Sequence, residues 1–215
     1  MTQKKPSRQE RAQDRGEAII AAALAEFTAH GFAATRVEDI ARRAGVAKGT
    51  VFHHFADKEG LFEGMARAVL KPWIDHIDSV RLEPGRSVRE TVGAFLRPLI
   101  REVAGPRGDV VRLFISEGLR FPRLAEFYYR EILSRVLDIQ RRLLAAAAER
   151  GELAQPAIAE FPQLVGAPLI VGVLWHGLFQ RIDPLDLDAL VTTQLDCLFV
   201  PSQRPARSPM SRGEP

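Results

Sequence analysis

Apolar residues recur along the chain at the intervals of helix faces, and no stretch alternates as a half-buried strand would. The first predicted helix covers residues 10–29. Its apolar face is formed by Ile20, Ala23, Leu24 and Phe27. Gly31 follows as a predicted stop, because glycine readily adopts the backbone conformation that ends a helix. The pattern as a whole predicts an all-α fold.

The next two predicted helices are short and close together. Thr35 and Glu38 have the spacing of a capping box, so Thr35 is expected to cap a helix that ends at Gly45. Residues 45–47 leave only a short turn before a third helix over residues 48–55. Because a short turn containing glycine is typical of a helix-turn-helix, we interpret the pair as this motif.

The remaining chain is also predicted to be helical. Asp57 is expected to cap a fourth helix that begins at Lys58, and Pro72 is expected to kink or stop it. Further helical segments are predicted over residues 87–104, 109–119, 122–150, 157–181 and 185–200. Gly151 suits the end of the third of these. Because Pro162 and Pro168 interrupt the fourth, that segment is either kinked or begins later.

The composition is that of an ordinary globular protein. Of the 215 residues, 46% are hydrophobic and 27% are charged. The single cysteine, Cys197, excludes an internal disulfide framework and disfavours a cysteine-based zinc site. It lies in an apolar helical run and is expected to be buried and inert. No secretory signal and no apolar run of about 18 residues is found, so we expect a cytoplasmic protein without a membrane span.

The net charge of +3 is concentrated at the start of the chain. The charged residues of this segment are Lys4, Lys5, Arg8, Arg11 and Arg15 against Glu10 and Asp14. A basic arm is compatible with phosphate contacts, but on charge alone we prefer a solvated tail. We therefore interpret residues 1–11 as a flexible basic arm. The proline-rich residues 201–215 are interpreted as a disordered tail.

The third predicted helix carries an unusual set of polar residues. The apolar residues expected to pack inward around it are Ile40, Ala41, Val46, Val51, Phe55 and Leu61. This packing leaves Lys48, Thr50, His53 and His54 facing outward, and these are hydrogen-bond donors of the kind that phosphates and base edges accept. Gly49 would let the backbone approach DNA closely.

The stretch "GFAATRVEDIARRAGVAKGTVFHHFADKEGLF", residues 31–62, resembles the DNA-binding domain of the TetR family of bacterial transcriptional regulators. The resemblance extends back through "AIIAAALAEFTAHG" and covers about residues 12–65. It implies a three-helix DNA-binding domain over residues 12–58 and a helical ligand-binding and dimerisation domain over residues 59–200. It also implies a regulator that is not an enzyme and needs no cofactor.

The same resemblance implies which residues contact DNA. They are Thr35, Lys48, Gly49, Thr50, Phe52, His53, His54 and Lys58. Lys48 and Gly49 would lie at base edges, and Thr50 and His53 would contact a base or a phosphate. Thr35, His54 and Lys58 would hold phosphates, although Lys58 is equally compatible with an ordinary solvated lysine. Two positions depart from the family pattern: Ala47 replaces the usual serine cap, and Phe52 often corresponds to a tyrosine.

The two histidines raise the alternative of a metal site. Adjacent helix residues diverge by about 100°, whereas metal-binding pairs prefer a spacing of four. We therefore expect no metal at His53 and His54.

The second half is interpreted as the regulatory part. Residues 165–179 and 187–200 are apolar around much of their circumference, and the resemblance implies that they pair two subunits in a four-helix bundle. The alternative is that both are core helices of a monomer. Aromatic and nearby polar residues predict an effector pocket, formed by Trp73, Phe95, Phe114, Glu117, Phe121, Tyr128, Trp175 and His176. For any one of these residues we prefer plain core packing, while expecting the pocket itself.

These observations lead to one functional hypothesis and one alternative. The hypothesis is a homodimeric repressor of a palindromic operator in double-stranded DNA, released by a small apolar or amphipathic effector that moves the fourth helix. The alternative is a helical small-molecule-binding protein or an enzyme without DNA binding. No catalytic triad, carboxylate pair or phosphate loop supports an enzyme, and Cys197 with His176 is a weak nucleophile–base pair.

Overall fold

The computed structural model describes residues 8–201, with side chains from residue 13 onward, and this part of the chain is helical. Its α-helices are α1 (Arg8–Ala34), α2 (Val37–Arg43), α3 (Lys48–His54), α4 (Lys58–Ser79), α5 (Val88–Ile100), α6 (Pro106–Glu117), α7 (Pro122–Tyr128), α8 (Ser134–Glu149), α9 (Gln163–Leu178) and α10 (Leu187–Leu198). A π-helical turn, Tyr129–Leu133, joins α7 to α8, and a 3₁₀ turn, Pro156–Glu160, precedes α9. The all-α prediction is confirmed.

The predicted terminal segments lie mostly outside the described residues. Residues 8–11, which we assigned to the basic arm, form the first turn of α1. Residues 1–7 of the arm and residues 202–215 of the tail are outside the described range. The flexibility of both segments stays a prediction.

The end of α1 agrees with the prediction at Gly31 and differs from it at Thr35. Gly31 interrupts the helix, with non-helical φ 75° and ψ 170°, and a further short helical stretch runs from there to Ala34. Thr35 is not a cap: Arg36 takes the N-cap position of α2 and makes no side-chain capping bond. The Thr35 hydroxyl instead donates to the carbonyls of Gly31 (2.7 Å) and Glu26 (3.1 Å). The kink turns Thr35 back onto α1, so the predicted capping box is wrong.

The helix-turn-helix packs as the apolar pattern predicted. Ile40, Ala41, Val51 and Leu61 are buried, and Val46 and Phe55 pack partly buried against them. Gly45 adopts φ 67° after α2, and the Val46 N–H donates to the Ala41 carbonyl at 3.0 Å. The turn between α2 and α3 is therefore fixed by a local backbone bond.

Helix α4 connects the two halves of the molecule. Its predicted cap is confirmed, since an Asp57 carboxylate oxygen accepts from the Gly60 N–H at 2.7 Å. The predicted stop at Pro72 is wrong, because the helix continues to Ser79. Proline removes one backbone donor, but Leu70, Trp73 and Ile77 on the same stretch are buried and hold the helix in place. Helix α4 packs against α1 at one end and against α5, α6 and α8 along its length.

The second half packs α5, α6, α8, α9 and α10 around a common core. The Arg112 guanidinium joins α6 to α9 by donating to the carbonyls of Val103 and Val173, both at 3.2 Å. Helix α9 begins at Gln163, directly after Pro162, which confirms the later of the two predicted starts. Cys197 is exposed rather than buried, because α10 turns only the side bearing Val191, Leu195 and Leu198 into the core.

Candidate functional site

Helix α3 presents one outward face. Lys48, Gly49, Phe52, His53 and His54 are exposed, and Thr50 is half-buried. Of the helix's own residues only Val51 is buried. Six of the eight residues expected to contact DNA are therefore at least partly accessible on α3.

Lys48 is held over this face by two neighbours. Its ammonium pairs with the Glu38 carboxylate of α2, and its Nζ lies 5.6 Å from the centroid of the Phe52 ring. The hydrogen bond from Lys48 holds the pKa of the Glu38 carboxyl below its ordinary value. The sequence analysis missed Glu38, because only the folded turn brings α2 and α3 together. An exposed pair of this kind contributes little stability, so Lys48 can leave Glu38 for another anion.

A shallow cleft runs between α1 and α3. It is lined by Arg15, Gly49, Thr50, His53 and His54. Arg15 was counted only with the basic arm, yet the fold brings its side chain to the α3 surface. The cleft therefore combines a guanidinium, two imidazoles and a hydroxyl around an unobstructed glycine.

The paired histidines lie side by side at the end of α3. Their rings lie edge to face with 5.8 Å between centroids. Among the residues with described side chains, no group of three or more His, Cys, Asp or Glu residues could hold a metal ion. Ala47 occupies the N-cap position of α3 and supplies no side-chain cap, as its departure from the family pattern predicted.

Thr35 and Lys58 lie apart from the α3 face. Thr35 is only 4% exposed, and its hydroxyl donates to carbonyls within α1, so this arrangement does not favour a phosphate contact by the side chain, which stays a prediction. Lys58 Nζ donates to the Ala33 carbonyl at 3.0 Å and lies 4.8 Å from the centroid of the Phe32 ring. Burial lowers the pKa of Lys58, while nearby Glu117 acts in the opposite direction. Both residues support the kinked end of α1.

The second half encloses a cavity of about 270 Å³. Its walls come from α4, α5, α6, the end of α7, the π-helical turn, α8 and α9. Of the eight residues predicted for an effector pocket, only Trp73, Phe95 and Tyr128 line it. Most of the wall consists of Leu, Ile and Val side chains that the sequence analysis did not single out. An apolar helix face predicts that its side chains are buried, but not which of them border a cavity.

The other five predicted pocket residues lie elsewhere. Phe114, Phe121 and Glu117 are at the junction with the half that carries the helix-turn-helix. Trp175 packs on Phe179 and donates to the Asp183 carbonyl at 2.5 Å, and His176 does not border the cavity. None of these five lines this cavity, because contacts with neighbouring rings and helix ends decide their direction, and Phe114 instead borders a second cleft beside Tyr128 and Tyr129. An effector contact by these five residues stays a prediction.

A series of contacting aromatic rings, one pair stacked and two pairs edge to face, connects the cavity to α1. Tyr128 lies 4.7 Å from Phe114, Phe114 lies 5.2 Å from Phe62, and Phe62 lies 5.4 Å from Phe32, all between ring centroids. The Glu117 carboxylate accepts from the Phe32 N–H at 3.1 Å beside this column. The wall of the cavity and the kink of α1 are thus in continuous contact.

Helix α9 leaves an apolar seam uncovered. The seam consists of Leu164, Val171, Leu174 and Leu178, whose exposed fractions lie between 36% and 65%. Their spacing puts all four on one side of the helix. A contiguous apolar surface of this kind is typical of a contact with another protein surface.

Two family models match most of the chain. Residues 19–65 match bacterial regulatory proteins of the tetR family. Residues 83–194 match the tetracyclin repressor-like C-terminal domain. The first match contains α2 and α3, and the second contains most of the cavity walls.

Named regulators are among the relatives in sequence. The HTH-type transcriptional regulator RutR of Escherichia coli K12 is 31% identical over 140 residues, which is 64% of this chain and 64% of RutR. The alignment thus spans less than two thirds of RutR. The regulator BetI 2 of Chromohalobacter salexigens is 29% identical over 194 residues, covering 86% of this chain and 88% of BetI 2.

Solved structures agree on the fold. FadR of Bacillus subtilis, determined in complex with stearoyl-CoA, superposes with a TM-score of 0.67 at 22% identity, covering 84% of this chain and 95% of FadR. NalD of Pseudomonas aeruginosa, the secondary repressor of a multidrug efflux pump, superposes with a TM-score of 0.67 at 21% identity. The superposition covers 88% of this chain and 98% of NalD. Across the described residues, no helix has the length and apolar character needed to cross a bilayer. The chain belongs to the TetR family of bacterial transcriptional regulators.

Proposed function

We propose that the protein is a repressor that binds a palindromic operator as a homodimer and leaves it when a small apolar or amphipathic molecule enters the cavity. The observation that carries this proposal is the outward face of α3, where lysine, glycine, threonine and histidine residues are accessible and Val51 alone anchors the helix. Such a helix can enter the major groove with its donors directed at the bases.

Within the interface, we assign Lys48 and Gly49 to base edges and Thr50, Phe52 and His53 to bases or the adjoining backbone. His54 and Arg15 would hold phosphates on either side, because both border the same cleft. Lys58 would reach a phosphate by giving up its bond to the Ala33 carbonyl. Thr35 would act indirectly, through the backbone of α1.

Two copies are needed for a palindromic site. The apolar seam of α9 supports a symmetric contact, because four exposed side chains on one helix face would otherwise remain in water. The contact would hold the two α3 helices at a separation of about 34–36 Å, or a multiple of it.

Release by a ligand follows from the course of α4. Leu70, Trp73 and Ile77 of this helix line the cavity, and its N-terminal end follows α3 directly. A ligand that fits better when α4 is shifted would favour an arrangement in which the two α3 helices no longer match the operator. FadR shows that a protein of this fold can hold stearoyl-CoA. We expect the protein to act in the bacterial cytoplasm, where the DNA lies.

Selection of bound fragments from genomic DNA, followed by footprinting, tests the proposal. The expected result is a protected site with two-fold symmetry, and an affinity that falls steeply as salt is raised. If no fragment is retained even at low salt, the alternative of a ligand-binding protein without DNA recognition is correct and the proposal is wrong.

A further inference from the structure

The cavity in the second half has no charged wall. Among its lining residues there is no Asp, Glu, Lys, Arg or His, and Tyr128 is the only ionisable one. A carboxylate or ammonium group entering this space would lose its hydration and meet no opposite charge. The lining therefore selects against charged ligands.

Most polar groups of the wall are already engaged. The Trp73 indole N–H donates to the Glu102 carboxylate at 2.6 Å, which also accepts from Arg107. The Gln140 amide, in the orientation that satisfies both neighbours, donates to the Pro162 carbonyl at 2.7 Å and accepts from the Gly166 N–H at 3.3 Å. Gln163 lies at the exposed start of α9.

Tyr128 is the remaining polar residue of the buried wall: it lines the cavity, and its ring stacks on Phe114 with 4.7 Å between centroids. Burial raises the pKa of Tyr128 to about 12. The group therefore keeps its proton at neutral pH. The π-helical turn begins directly after Tyr128, and Ile132 and Leu133 of that turn also line the cavity. Turns of this type occur frequently at functional sites.

The volume limits the size of the ligand. A cavity of roughly 150 Å³ lined by apolar side chains holds one benzene ring. By proportion, the present cavity of about 270 Å³ accepts roughly ten to twelve non-hydrogen atoms.

We propose that the effector is an uncharged, mainly hydrocarbon molecule of this size, with one oxygen that hydrogen-bonds to the Tyr128 hydroxyl. This inference rests on the proposed function, because it names the ligand class of the cavity that would control DNA binding. A long-chain alcohol and a fused aromatic phenol both belong to the class.

Calorimetric titration with matched probes tests the class. The probes are 1-nonanol against nonanoate, and 2-naphthol against 2-naphthoate, at pH 7.5. 1-Nonanol should bind, and should bind at least tenfold more tightly than nonanoate, and 2-naphthol and 2-naphthoate should show the same order. Failure of 1-nonanol to bind, or a preference of less than tenfold for it over nonanoate, overturns the inference.

A pair of tyrosine variants tests the hydrogen bond. Tyr128→Phe should weaken 1-nonanol binding about threefold to tenfold, the range for one hydrogen bond, and leave n-nonane binding unchanged. Tyr129→Phe is the matched control, because Tyr129 is 54% exposed and does not line the cavity, and it should change neither affinity. Unchanged 1-nonanol binding by Tyr128→Phe, or equal losses for both probes, overturns the assignment of Tyr128.

The outcomes separate this inference from the proposed function. A protein that binds its operator but prefers nonanoate contradicts only the ligand class. A protein that binds 1-nonanol but no DNA at low salt supports the ligand class of the cavity and contradicts its regulatory role.

Discussion

The Glu117 carboxylate, at the end of α6, accepts a hydrogen bond from the backbone N–H of Phe32 at 3.1 Å across 85 positions of sequence. The bond joins the half that encloses the cavity to the half that carries α3. The bond lies at the kink of α1, where the Gly31 backbone is so close to the same carboxylate that a Cβ at Gly31 would touch it. The second oxygen, Oε2, is buried without a hydrogen-bond partner, so Glu117 is held there by the contact of its first oxygen.

Glu117→Ala should lower the free energy of unfolding by about 1–3 kcal/mol, because the Phe32 N–H loses its acceptor. Glu117→Gln is the matched control. The glutamine keeps an acceptor oxygen, so this variant should lose less stability than Glu117→Ala. Urea denaturation of both variants checks the order. If the alanine variant is as stable as the wild type, the bond does not hold the two halves together.

Gly31→Ala should be destabilising. The backbone there lies in a region that is nearly restricted to glycine, which costs about 1–3 kcal/mol for another residue. An added Cβ would also lie 2.5 Å from Glu117 Oε1. Gly16→Ala, in the same helix with no atom within 4 Å of the added Cβ, should instead stabilise by about 0.5–1 kcal/mol. In thermal unfolding, the midpoint temperature should fall for Gly31→Ala and rise for Gly16→Ala. A change in the same direction for both variants would contradict the kink at Gly31.

Lys48→Ala should weaken binding to the selected operator by about 1–3 kcal/mol and reduce discrimination at one or two base pairs. Glu38→Gln, which changes the partner of Lys48, is the companion variant. It frees Lys48 and removes a negative charge near the phosphates, so affinity for all sequences should rise. Fluorescence anisotropy with operator and scrambled duplexes measures both effects. Full operator affinity in Lys48→Ala would show that another residue reads the bases.

Lys58→Ala should weaken binding to operator and scrambled DNA alike, and should reduce the salt dependence by about one counterion. Lys71→Ala is the control on the same helix, since Lys71 is exposed, pairs with Asp75 and lies farther along α4. Anisotropy titrations over a range of salt concentrations distinguish the two. An unchanged slope in Lys58→Ala would mean that this lysine serves only the end of α1.

Leu174→Glu should separate the subunits, because it puts a charge in the middle of the apolar seam of α9. The variant should fold, elute as a monomer and bind the operator poorly. Arg141→Glu changes the charge of an exposed residue on α8 and should remain dimeric. Light scattering after size exclusion gives the mass of each. If Leu174→Glu remains dimeric, the contact between the subunits lies on another surface.

The sequence predicted what nearby residues determine. Asp57 caps α4, and Gly45 and Gly151 adopt the positive φ values expected after α2 and α8. The inward residues of the helix-turn-helix were identified because a short turn leaves few ways to bury Ile40 and Val51. Each of these features depends on a few neighbouring positions.

Features that depend on distant contacts were not predictable in this way. The role of Thr35 required knowing that a short helical stretch follows Gly31 and brings the Thr35 hydroxyl back to the carbonyls of Gly31 and Glu26. The cavity required knowing which apolar side chains of several helices leave a gap between them. Phe114 and Glu117 were assigned to an effector pocket from their sequence positions. In the structure Phe114 packs on Phe62 and Glu117 bonds to the Phe32 N–H, at the junction between the two halves of the molecule.

DNA cleavage from a tethered iron chelate most directly tests whether the outward face of α3 enters the major groove. The chelate is attached to Ala56→Cys, an exposed position just after α3, in a Cys197→Ser background. Ala148→Cys on α8 is the control at an exposed position of the second half. We expect cuts inside each half of the operator from position 56 and none from position 148. An operator that is bound by the protein but not cut from position 56 would contradict this interface.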